Sequence, residues 1–72
     1  MDVNMTVIGE HAGLVWRTLE NRHLSWDELL SATGLKPVEL ALAVGGLARE
    51  DKIALSQDGE TMFLEVYQEH YY

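Results

Sequence analysis

Residues 24–52 read LSWDELLSATGLKPVELALAVGGLAREDK. Ser25 and Glu28 have the spacing of a capping box, in which a hydroxyl accepts from the N3 amide and a carboxylate reaches back to the cap amide. Leu24 and Leu29 stand at the two positions of a hydrophobic staple, so a helix is predicted to start here and run to about Thr33. Gly34 stops it, because glycine enters the left-handed conformation without a side-chain clash. Leu35 then turns toward the core. Pro37 suits the first position of a further helix, where its missing amide proton has no partner to lose. Leu40, Val44 and Leu47 recur at helical spacing as the buried edge of that helix, with Ala41 and Ala48 beside them. It ends near Glu50 or Asp51.

The flanking sequence completes the pattern. Upstream, Met5, Ile8, Ala12, Val15 and Leu19 recur every three or four residues, with Trp16 on the flank, and predict a helix over about 7–21. Val3, Val7 and Leu14 form a second apolar stripe on its other side, which we read as a candidate interface. Downstream, Ile53-Ala54-Leu55 and residues 62–66 read as two strands, with Asp58-Gly59 as the turn between them. Leu64 and Val66 share a face and are expected to cover the helices. Two short helices joined by a glycine turn, led by one helix and followed by a hairpin, give an α+β fold: a winged helix-turn-helix. The 72 residues form one domain, 1–72.

The same residues resemble a known family. Gly9 to Trp16, Thr33-Gly34-Leu35 and Leu42 to Ile53 are similar to the small bacterial winged helix-turn-helix proteins called DUF2582. With the wing, the resemblance covers most of the chain. It implies the fold and no particular activity, because winged helices serve many functions. Members of the family carry a bulky aromatic where this chain has Gly46.

Charge bears on function. The chain has 12 acidic and 5 basic residues, a net charge of −7, which repels polyanions at long range. A DNA-reading helix-turn-helix sends its second helix, here 37–50, into the major groove. The helical period turns Val38, Glu39, Leu42, Gly45, Gly46 and Arg49 outward. Base readout favours Arg, Lys, Asn or Gln, and only Arg49 qualifies. From Ile53 onward there is no lysine or arginine, so the wing offers phosphates nothing positive.

These features point to a non-catalytic module that works through protein contacts or self-association. The expected contact residues are Val38, Leu42, Gly45 and Gly46, with Val7 and Leu14 of the second stripe. The alternative is a DNA-binding regulator that contacts phosphates through Lys36, Arg49 and Lys52. The aromatic end of the chain, Tyr67, His70, Tyr71 and Tyr72, suits an interface, because a tyrosine ring is apolar and its tip is wet.

Other classes find no support. There are no cysteines, which excludes disulfides and cysteine-based metal sites. His11, His23 and His70 lack the spacing of a helical zinc pair. His11 is expected on the exposed side of the first helix and His23 in a loop. No nucleophile elbow or phosphate loop occurs, so neither enzyme, cofactor nor small-molecule substrate is expected. No apolar run approaches the roughly 18 residues of a membrane span, and Met1-Asp2-Val3-Asn4 lacks the basic start and apolar core of a signal peptide, so none is expected. The expected setting is the bacterial cytoplasm.

Overall fold

The computed structural model describes residues 5–67, with residue 5 described by its backbone alone. Val3 of the second stripe and His70, Tyr71 and Tyr72 lie outside the described residues. The elements run α1 (Met5–Leu19), β1 (His23–Ser25), α2 (Trp26–Thr33), α3 (Pro37–Arg49), β2 (Ile53–Asp58) and β3 (Thr61–Val66). These are three helices and a three-stranded antiparallel sheet in the order β1-β3-β2. The fold is the α+β arrangement expected of a winged helix-turn-helix.

Several boundaries differ from the sequence reading: β2 runs to Asp58 and β3 starts at Thr61, and three further differences have clear causes. First, α1 ends at Leu19, because the chain must reverse into β1. Asn21 takes a left-handed φ of 60° in that turn, a conformation asparagine tolerates better than most residues. Second, residues 23–25 form a strand, so His23 lies in β1 and not in a loop. β1 pairs with β3 through His23 with Glu65, Leu24 with Leu64 and Ser25 with Phe63. Third, the wing turn is Gly59-Glu60, since Asp58 still pairs with Thr61. Gly59 has φ 64°, and a glycine first in a two-residue loop fits the twist of an antiparallel pair.

Both ends of α2 have clear causes. Ser25 Oγ accepts from the Glu28 amide at 3.2 Å, and the Ser25 amide donates to Glu28 Oε1 at 2.9 Å. These bonds hold the Glu28 carboxyl below the usual glutamate range, the backbone bond from Ser25 contributing most. Gly34 has φ 71° and its amide donates to the Leu30 carbonyl at 2.9 Å. The Thr33 hydroxyl accepts from the Leu35 amide at 3.3 Å and donates to the Leu29 carbonyl at 2.8 Å. The turn therefore satisfies its own backbone while it aims Leu35 at the core.

The core draws on every layer. Val15 and Leu19 of α1, Leu29 of α2, Leu40, Ala43, Val44 and Leu47 of α3, Ile53 of β2 and Leu64 of β3 are buried. Leu24, Leu35 and Val66 pack against them, half-buried. Leu64 and Val66 thus cover the helices from one face of the sheet, as the period-two pattern requires.

Candidate functional site

The outer face of α3 follows from its inner one. At about 100° per residue, Leu40, Ala43, Val44 and Leu47 define the buried arc. Opposite them, Val38, Leu42, Gly45 and Arg49 fall within an arc of about 60°. All four are exposed, Val38 by 49% and Leu42 by 40%. Ala41 is also exposed and not at the buried edge, whereas Ala43, unremarked in the sequence, is fully buried. The helical period explains the exchange, because Ala43 lies about 50° from the centre of the buried arc, next to Leu47, and Ala41 lies about 110° from it. Gly46 flanks the strip, and a Cβ added at Gly45 or Gly46 would meet no atom within 4 Å. The exposed face of α3 is therefore apolar or small, with Arg49 as its one base.

The N-terminus of α3 uses its charges locally. The Lys36 amide donates to Glu39 Oε1 at 2.8 Å. Glu39 is half-buried and acts as a cap, where the sequence reading turned it fully outward. Lys36 and Arg49 are both exposed, at opposite ends of the helix and about 20 Å apart along its axis.

The remaining bases fall in two places. Lys52 is exposed and pairs with Glu50 at 3.5 Å. Arg22 shares a surface hollow with Asp27 and Glu28. Arg17 and Lys52 border one groove of about 610 Å³ between α1 and the end of α3. Across the sheet, Asp58, Glu60 and Glu65 are exposed, so the wing presents acids only.

Val7 and Leu14 are half-buried and lie outside the core cluster. His11 is half-buried, not exposed as the sequence suggested. His23 stacks on Phe63 with ring centroids 4.9 Å apart, a packing role created by the β1–β3 pairing. Among the described residues no three histidine or acidic side chains gather to hold a metal ion. No helix among them is long and apolar enough to cross a membrane.

Two features escaped the sequence reading. One is Leu55, which pairs with Leu64 and so shares its face, yet is 46% exposed because β2 is an edge strand of the sheet while β3 is central. The other is the α1–α3 groove. Its sequence trace is Gly9, Gly13 and Arg17, spaced by four along one side of α1, but Gly46 and Lys52 join them only in three dimensions.

Compared with known families, residues 1–66 match the model described as a winged helix-turn-helix domain, DUF2582. No curated protein matches the chain.

Proposed function

The chain belongs to the DUF2582 family of winged helix-turn-helix domains, and from that premise we propose that it is a non-catalytic interaction module whose contact surface is the outer face of α3. The observation that carries this reading is the exposure of Val38 and Leu42 where a DNA-reading helix places polar side chains. Contiguous exposed apolar surface on a water-facing helix marks an interaction site. Gly45 and Gly46 let another backbone approach closely, and Val7 and Leu14 offer a further apolar contact on α1.

The partner this surface fits best is a second copy. Ten residues separate Glu39 from Arg49. An antiparallel α3–α3 pairing that brings Arg49 to Glu39 of the second copy sets Leu42 over Gly46 of that copy. A leucine then enters a site with no side chain, twice by symmetry. Sedimentation tests this: the wild-type chain should show a dimer mass. Leu42→Glu should give a monomer with an unchanged circular dichroism spectrum. A wild-type monomer at high protein concentration would sink self-association, and a Leu42→Glu dimer would move it to another face.

DNA binding is the second reading. The helix-turn-helix order and the exposure of Lys36, Arg49 and Lys52 favour it. It requires that charge reversal at Lys36 and Arg49 abolish a salt-sensitive affinity for duplex DNA. An affinity that survives both reversals removes it.

A further inference from the structure

We propose that the groove between α1 and α3 is a binding site for an acidic peptide segment, one that presents an aromatic side chain next to a carboxylate. This site shares Gly46 with the proposed α3 contact but draws most of its lining from α1 and does not depend on Val38 or Leu42. The groove's volume of about 610 Å³ lies within the range of ligand-binding clefts. Its apolar lining includes Ile8 and Trp16 from α1 and Leu47 from α3. Gly9 and Gly46 line it too, and a Cβ at either would meet nothing within 4 Å. The chain's described side chains therefore leave this space open, although glycine inside a helix lowers helix stability.

The rim supplies the charge. Arg17 folds back over Gly13, its Nη1 lying 3.3 Å from the point where a Cβ would sit. Among the described residues no carboxylate lies within ion-pair distance of Arg17; the one ion pair recorded there joins Lys52 to Glu50. Glu50 lines the groove as well and pairs with Lys52, so Arg17 is the one unpaired charge at its rim among the described residues. A guanidinium fork beside a bare apolar floor is complementary to a carboxylate attached to a ring, because arginine binds carboxylates through paired N–H donors. The groove's shape selects a peptide. Ile8 to Arg17 spans about 14 Å of helix, which matches about four residues of extended chain.

The test is an NMR titration of the full chain with the acetylated, amidated peptide Glu-Ala-Phe-Glu, and with its Gln-Ala-Phe-Gln counterpart. The Trp16 indole and the Arg17 Nε–H should shift while the Trp26 indole stays in place. The uncharged peptide should bind at least about 10-fold more weakly, and Arg17→Gln should lose a similar factor for the acidic one. Gly46→Leu should fill the groove and abolish binding in a folded protein. Gly9→Leu provides the same test from α1 should the first variant fail to fold. Equal affinity for the two peptides overturns the proposal, as does binding that survives both leucine variants. Trp16 shifts that follow protein concentration and ignore peptide also overturn it, since the occupant is then a second copy of the chain.

Discussion

Asp51 shows how much one residue can carry. It follows the C-cap of α3 with a left-handed φ of 58°. Its amide donates to the Ala48 carbonyl at 3.1 Å, and the Lys52 amide donates to the Leu47 carbonyl at 2.9 Å. This pair of bonds is the Schellman pattern, which most often has glycine at the left-handed position. A non-glycine residue there carries a steric penalty of about 1 kcal/mol, and a carboxylate beside a helix C-terminus opposes the helix dipole. Asp51→Gly removes both. We expect stabilisation of about 0.5–1 kcal/mol, seen as a melting temperature several degrees higher. A lower melting temperature would mean that the Asp51 side chain has a stabilising role outside this local geometry. Gly34 is the opposite case: the residue already fits its φ of 71°, so no substitution there should gain stability.

At the scale of the element, α3 and β3 each separate a structural face from a free one. Leu64 is fully buried and Leu42 is 40% exposed, although both are leucines in regular structure. Leu64→Ala should destabilise by about 2–5 kcal/mol through lost burial and the cavity left behind. That is enough to unfold much of a domain this small. Leu42→Ala should change stability by less than about 1 kcal/mol, measured by urea denaturation. Similar losses at both positions would mean that the outer face of α3 is covered in the free chain. The helices were legible in the sequence because their signals are local: Ser25, Glu28, Gly34 and Pro37 each act within four residues. The β-hairpin was legible for the same reason, although its turn shifted by one residue. β1 was not, since three residues carry no usable alternation and their partner in β3 lies some forty positions downstream. The outer strip could be derived from the helical period, apart from Ala41 and Ala43. The α1–α3 groove could not, because it depends on how two helices cross, and neither helix's own period encodes that crossing.

At the scale of the whole molecule, net charge separates the two functional readings without any knowledge of the partner. Each copy carries −7, so two copies repel as they approach. If α3 pairs with α3, the attraction is apolar and short-ranged while the repulsion is long-ranged and screened by salt. Raising the ionic strength from about 20 mM to 300 mM shortens the screening length from roughly 20 Å to 6 Å. The dimer should therefore tighten, with a dissociation constant lower by roughly 3- to 10-fold. DNA binding runs the other way. Its affinity comes from counterions released by bound phosphates, so it must weaken as salt rises. The Arg49–Glu39 contacts of a pairing through α3 would weaken with salt too, but exposed pairs contribute only about 0–1 kcal/mol and are outweighed by relief of the overall repulsion. Sedimentation at three salt concentrations, with and without a mixed-sequence duplex, reads both effects from one preparation. Self-association that strengthens with salt, beside DNA binding that is absent even at 20 mM, fits the interaction module. Self-association that weakens with salt would mean that complementary charges hold the copies together, and would remove the apolar strip of Val38 and Leu42 as the contact.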